Sequence, residues 1–473
     1  MMTASTITGK TRSIMCKLHY RKIYNTINIP ALSRLFAARR FPSILGGNSS
    51  ITNAGRFSYW AAEPKEIFEF KNGYKNPFEK LHEILGKYRL AEHNSPTIPK
   101  GIFSGGWIGY FSYELGRYIE RLPATTTDDL QMPLIRLCFY DCIIAYDHTE
   151  KCCLLFALEM QGDTKSPGQK LTELENLLLQ SQHIVVPNPA AVQLDEKKLS
   201  AICCNMSREY YQQAFKKIKR YIYDGEVYQI NFSRRFESQF DGGAINLFCW
   251  QNHYNPSPYS AYIDAGDFQI VSASPEMFLT ISDGFISTKP IKGTRPRINK
   301  AGPDAANYNE LLDSVKEQAE LNMIIDLERN DIARLCVPGT RKVTQPRTIE
   351  SYPTLFHAVA TIAGQLRDKI NFCDILKAMF PGGSITGAPK IRSMEIINEL
   401  EPTARGIYTG SIGYIGLDNR TCLNIAIRTI IIKGRKAYVQ TGGGIVADSD
   451  VQAEWQETIT KAKALLAGIK SVR

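Results

Sequence analysis

Four glutamates fall into two pairs of equal spacing. Glu317 and Glu320 lie in SVKEQAELNMIIDL, and Glu454 and Glu457 lie in AEWQETITKAKALL. Both segments read as helices, and i,i+3 spacing puts the carboxylates of a pair on one face. Four carboxylates converging from two helices would suit Mg²⁺, a hard cation that takes oxygen ligands and keeps waters and substrate oxygens. Taken singly, each pair is more commonly a solvated helix face.

Lys292 stands between Pro290 and Gly293 in TKPIKGTRPR. A lysine is usually a mobile surface cation. Held and desolvated, it can lose its proton and act as a nucleophile. Glu276, in ASPE, ends the strand-like FQIVSA. A buried carboxyl there could serve as a general acid or base.

Two glycine-rich segments could receive an anion. PGGSITGAPK (Pro381–Lys390) precedes the helical pattern IRSMEIINEL, with Pro389 suited to the first turn. Ala388-Pro389 stands where a nucleotide-binding P-loop needs Lys and then Ser or Thr, so ATP is disfavoured. Amides at a helix start still suit a carboxylate, though a plain tight turn explains the segment as well. TGGGIVADSD (Thr441–Asp450) places three glycines after a strand. That allows close approach of a ligand or of another backbone, or marks a bulge.

The elements that would position these groups indicate an α+β chain with two packed, mainly antiparallel sheets. Helical spacing covers residues 76–90, 168–182 and the stretch carrying Tyr211, Phe215, Ile218 and Ile222. Strand-like alternation appears at Phe268–Ser272, Leu423–Ile432 and Ala437–Thr441. Residues 137–160 read as two buried strands joined by a polar turn at Asp147–Glu150. No G-x-G-x-x-G follows a strand, so a dinucleotide site is unsupported. The expected organisation is a basic leader (1–25), an N-terminal sheet-rich region (26–185), a linker (186–205) and a catalytic region (206–473).

Composition is that of an ordinary globular chain, 44% hydrophobic and 22% charged over 473 residues. No apolar run approaches the roughly 18 residues a membrane span needs. Eleven scattered cysteines, an odd number with no C-x-x-C, fit reduced thiols in a cytoplasmic protein and argue against structural zinc. The net charge of +10 is local: residues 1–50 hold eight Lys or Arg and no Asp or Glu, leaving 10 − 8 = +2 elsewhere. The leader could be an unstructured or mis-called start with Met15 the true one, a lead-in to the first strand, or a transit peptide. A nucleic-acid role is weak, since no basic motif accompanies those charges.

Read in order, GEVYQINFSRRF, SASPEMFL, PIKGTRPR, AELNMIIDLERNDIARL, LFHAVATIAGQL, FPGGSITGAPKIRSMEII, RGIYTGSIGYI and TGGGIVADSDVQAEWQET resemble the chorismate-utilising enzymes. The resemblance is dense over 205–467 and looser over 55–120, through RFSYWAAEP and GGWIGYFSYELGR. It implies that Glu317, Glu320, Glu454 and Glu457 are the Mg²⁺ cluster, holding the ring carboxylate of chorismate. It implies that Tyr408 and Arg428, with amides around Gly443 and Gly444, bind the enolpyruvyl carboxylate. Lys461 matches a lysine near the substrate, His357 a histidine close to the ring, and Thr386 a residue at the reacting face. Glu276 matches the general acid for the departing 4-hydroxyl.

Two positions separate branches of the family. Isochorismate and salicylate synthases carry a water-activating lysine where this chain has Gln229, so water is disfavoured as the nucleophile. Anthranilate synthases read PIAGT where this chain has Lys292. The lysine is similar to that of the branch that places nitrogen at C4 through a covalent lysine intermediate, on the route to p-aminobenzoate and folate. Anthranilate synthase component I is the alternative. No glutaminase elbow is visible, so a separate glutamine amidotransferase subunit is the expected ammonia source, in a heterodimer. Relatives can bind tryptophan in the N-terminal sheet region, which makes residues 26–120 its candidate site.

Overall fold

Strand after strand in this chain is apolar on both faces, and the fold gives each face a partner. In the strand Phe57–Ala61, Tyr59 and Ala61 face one core while Trp60 faces another. Ile143 and Ala145 alternate with Ile144 in the same way. The first core lies between two sheets. The second lies between one of those sheets and helices that include Ile29–Ala37, Pro167–Gln182, Ala244–Tyr254 and Val451–Ser471. The computed structural model describes residues 13–24, 27–47, 55–73, 75–91, 98–190, 202–352 and 355–472.

Among the described residues one sheet has thirteen strands and the other ten. The named strands pair antiparallel throughout, except where Ile14–Ile23 runs parallel to Tyr88–Leu90. Both sheets draw strands from either side of residues 186–205. In the larger sheet Tyr259–Asp264 pairs with Ser43–Leu45, Ala261 opposite Leu45. In the smaller, Ser411–Gly416 pairs with Gly106–Phe111, Ser411 opposite Phe111. Residues 191–201 of the expected linker lie outside the described residues.

Two expectations need correction. From Ile14 onward the basic leader is a strand: Ile14–Ile23 pairs along its length with Cys152–Met160, burying Cys16 and Leu18. Lys17, Arg21 and Lys22 fall on both faces of the strand, so charge masked the alternation. Residues 1–12 lie outside the described residues. The two strands expected over 137–160 are three, because the chain crosses from the smaller sheet to the larger at Asp141. The crossing is pinned by buried Lys170, whose Nζ donates to Asp141 Oδ2 at 2.7 Å, Asp163 Oδ2 at 2.6 Å and the Leu158 carbonyl at 2.7 Å. No described helix is long and apolar enough to cross a membrane.

Removing residues 1–23 strips this strand and uncovers Phe156, which stacks on Tyr20 with ring centroids 6.3 Å apart. Its melting temperature is expected to fall by more than about 5 °C. Calorimetry of the truncated and full chains checks this, and equal transitions would make the strand dispensable.

Candidate active site

The chemistry-bearing residues gather where an edge of each sheet meets the acidic helices. The smaller sheet contributes Ile291–Pro296, paired with Leu355–Gln365. The larger contributes Gln229–Gln239, paired with Lys436–Ile445. The helix Val315–Ala333 packs against the first edge, and Val451–Ser471 against the second. Both helices are set by their caps. Ser314 accepts from Glu317 N–H at 3.3 Å, and Asp450 from Gln452 and Ala453 N–H at 2.9 Å each.

Lys292 is half-buried and turns inward. Its Nζ donates to the Ser384 carbonyl at 3.4 Å, and Glu320, Glu276, Lys461 and Glu457 lie within its electrostatic reach. Desolvation pushes its pKa below the usual lysine value, against the pull of the carboxylates. The next residue must be glycine. Gly293 has φ +90°, and a Cβ there would lie 2.7 Å from Glu317 Oε2. Glu276 is buried and accepts from Ile291 N–H at 3.3 Å. Burial raises its pKa, while the Ser384 side chain and the Lys292 charge draw it down.

His357 is buried, with Nδ1 2.8 Å from Thr294 Oγ1 across the strand pair. Burial, then the Arg428 charge, lowers its pKa to about 3, so the ring is neutral. Arg428 holds φ 50° and makes no ion pair or side-chain hydrogen bond among the described residues. It lines one cavity with His357, Pro275 and Tyr352. Burial lowers its pKa to about 10, which leaves it charged and ready for an anion.

The acidic pairs are half-satisfied. Glu317 Oε1 takes a hydrogen bond from Arg295 at 2.8 Å, and Glu454 Oε1 one from Ser449 at 2.7 Å. The other oxygen of each is buried without a partner. Glu320 and Glu454 both have pKa values raised chiefly by burial, and Glu457 bears on both. Glu457 pairs with Lys461 at 2.6 Å, and Lys461 also donates to the Gly442 carbonyl at 2.8 Å. Among the described residues no three acidic, histidine or cysteine groups converge closely enough to hold a metal as they stand. The donor set still fits a hard divalent ion: all oxygen, anionic and with two buried oxygens unpartnered.

Gln229 is 1% exposed, and both polar atoms of its side chain lack partners. It lies against Gly444, where any Cβ would collide with Nε2. A Cβ on Gly443 would lie 2.7 Å from Glu454 Oε2. Beyond Val439 the glycine strand has a ladder partner on one side only, so alternate N–H groups face away from it.

Two expected residues are less directly placed. The Thr386 hydroxyl donates within its own loop, to the Gly382 and Gly383 carbonyls at 3.1 and 3.2 Å. Tyr408 is buried beside Ser233 and the Arg405–Glu401 pair, and no hydrogen bond joins it to Arg428. Sequence reading missed Ser384, Ser449 and Arg295. Ser384 and Ser449 lay inside singled-out segments, and Arg295 follows Lys292 by three residues. Types and spacing gave no sign that they touch the named groups.

A profile of the chorismate binding enzyme family matches residues 49–467. The chain is 39% identical over 424 residues to aminodeoxychorismate synthase component 1 of Bacillus subtilis strain 168, covering 89% of this chain and 88% of the relative. It is 38% identical over 399 residues to anthranilate synthase component 1 of Pseudomonas aeruginosa, covering 83% and 80%. The solved anthranilate synthase component I of Streptococcus pneumoniae TIGR4 superposes with a TM-score of 0.73 at 31% identity, covering 88% of this chain and 93% of that one. The menaquinone-specific isochorismate synthase of Escherichia coli, at 16% identity and a TM-score of 0.70, shares the fold.

The His357 imidazole binds its proton more weakly folded, at about 3, than at its ordinary 6.5. Below 6.5 the unfolded chain therefore takes up more protons, and stability falls with pH through that window. Urea melts at pH 7.5 and pH 5 are expected to show wild type losing about 2 kcal/mol more than His357→Gln. Equal losses would place the acid sensitivity elsewhere.

Proposed function

The chain belongs to the chorismate-binding enzymes and uses chorismate, and from that premise we propose that it puts nitrogen on C4 of the ring, forming 4-amino-4-deoxychorismate. The carrying observation is the Lys292 amine, desolvated, beside Glu276 and facing Glu320 and Glu457. A neutral amine there attacks C2. Glu276 gives its proton to the 4-hydroxyl, which leaves as water as both ring double bonds shift. Ammonia then adds at C4 and the lysine amine departs from C2. Two successive displacements explain a product para to the carboxylate.

The remaining residues bind and orient. Arg428, charged and without an ion pair among the described residues, takes the enolpyruvyl carboxylate, together with outward amides of the glycine strand. Glu317, Glu320, Glu454 and Glu457 would hold Mg²⁺, which supplies a counter-charge for the ring carboxylate and the glutamates. Neutral His357 lies close to the ring. Gln229 in place of a lysine leaves no base to activate water.

Ammonia is assigned to a separate glutamine amidotransferase; relatives of this chain bear the name component 1. Eleven free cysteines fit a reducing compartment, the cytoplasm, and the product fits p-aminobenzoate and folate synthesis. Tryptophan is proposed for a cavity between the sheets, walled by Phe57, Tyr59 and Tyr414. The second reading, anthranilate synthase component I, has relatives of similar identity in its favour and Lys292 against it.

Purified chain with chorismate, Mg²⁺ and ammonium, followed by an added lyase, is expected to give p-aminobenzoate; anthranilate formed without lyase contradicts the reading. Lys292→Ala is expected to lower formation of the para product by more than about 10³-fold while circular dichroism stays unchanged. Turnover like wild type in that variant would remove the covalent step.

A further inference from the structure

Glu328 shares its helix with Glu317 and Glu320 but points at a different target. It is 3% exposed. Oε1 accepts the Gly383 N–H at 3.1 Å, and Oε2 is buried with no partner. A carboxyl so placed is costly, and burial raises its pKa to about 7. Lys390, at the start of the helix Lys390–Leu400, opposes that rise, while Asp331 and Glu276 add to it.

Gly383 opens the short 3₁₀ turn Gly383–Ile385, seated directly on the acidic helix. A Cβ on Gly383 would collide with Leu327 Cδ2 and come within 3.2 Å of Glu328 Oε1. The next residue, Ser384, meets both reacting groups. Its side chain lies near enough to Glu276 to draw that carboxyl's pKa down, and its carbonyl accepts from Lys292 Nζ at 3.4 Å. The far end of the loop is anchored independently: Lys390 Nζ donates to Asp331 and, at 3.0 Å, to the Met379 carbonyl. Losing Glu328 would therefore leave the loop attached and free only its first turn.

We propose that Glu328 is a positioning residue for the amination: by accepting the Gly383 N–H it holds the turn so that Ser384 presents its hydroxyl to Glu276 and its carbonyl to Lys292. This rests on the roles given above to Lys292 and Glu276. It acts on the chemical step rather than on substrate capture, because neither Arg428 nor any of the four outer glutamates is carried by the Gly383–Ile385 turn.

The test compares Glu328→Leu and Glu328→Gln with wild type in the full chain, using chorismate, Mg²⁺ and saturating ammonium. The leucine variant is expected to lose about tenfold or more in kcat with KM for chorismate within about twofold. The glutamine variant, which keeps an acceptor in place, is expected to stay within about threefold of wild-type kcat. Wild-type kcat in the leucine variant, an equal loss in both, or a change confined to KM overturns the proposal. Should Glu328→Leu not fold, Glu328→Asp, which keeps the charge but withdraws it, is expected to lose kcat likewise, and wild-type kcat there overturns it. Wild type yielding no para product sinks the amination reading instead. That failure is distinct, because the variants are compared on whichever chorismate product wild type makes.

Discussion

A lysine amine can be a nucleophile only while it is uncharged, yet the groups a carboxylate-binding metal needs are those that would protonate it. The site balances these demands at Lys292. Desolvation favours the neutral amine; Glu320, Glu276 and Glu457 favour the ammonium; and Lys461 opposes it. The balance depends on distance and burial rather than on one strong bond, since the single hydrogen bond from Nζ is long. A cation among the glutamates would weaken their hold on the proton, so in the proposed reaction metal binding and nucleophile activation would be thermodynamically linked.

Much of the surrounding architecture keeps those charges close without contact. Gly293 leaves room for Glu317, and Gly443 for Glu454. Side chains are omitted where carboxylates must lie against backbone, and the acids are then capped one oxygen at a time, by Arg295 and Ser449. The oxygens left over face a region where an ion or substrate would complete them. Among the buried polar atoms without partners, those of Glu317, Glu454, Gln229 and Glu328 belong to this site or to the helix and loop that carry it. Such atoms cost stability, and where they point at a place for a polar ligand that cost is set against function.

How much of this could be read from residues alone follows from range. The two acidic pairs were legible because i,i+3 spacing is a local property of a helix. Lys292 and Glu276 were legible because proline, glycine and strand ends restrict the chain nearby. Ile14–Ile23 was not, because its basic residues fall on both faces and only its pairing with Cys152–Met160 shows it to be a strand. Asp141 fell inside a single expected strand and is the crossing between sheets, which depends on Lys170 from a later helix. Ser384 and Glu328 were silent for the same reason: their meaning lies in partners far along the chain.

The strand order also constrains how the molecule comes into being. Leu45 has to wait for Ala261, and Phe111 for Ser411, before either sheet closes. A ribosome therefore releases the first half with open, apolar edges and no mate for them. Such a chain folds late and slowly, dominated by distant pairings. Its early segments keep unpaired edges until the late strands emerge, so the hazard of aggregation falls on the nascent chain rather than on the finished fold.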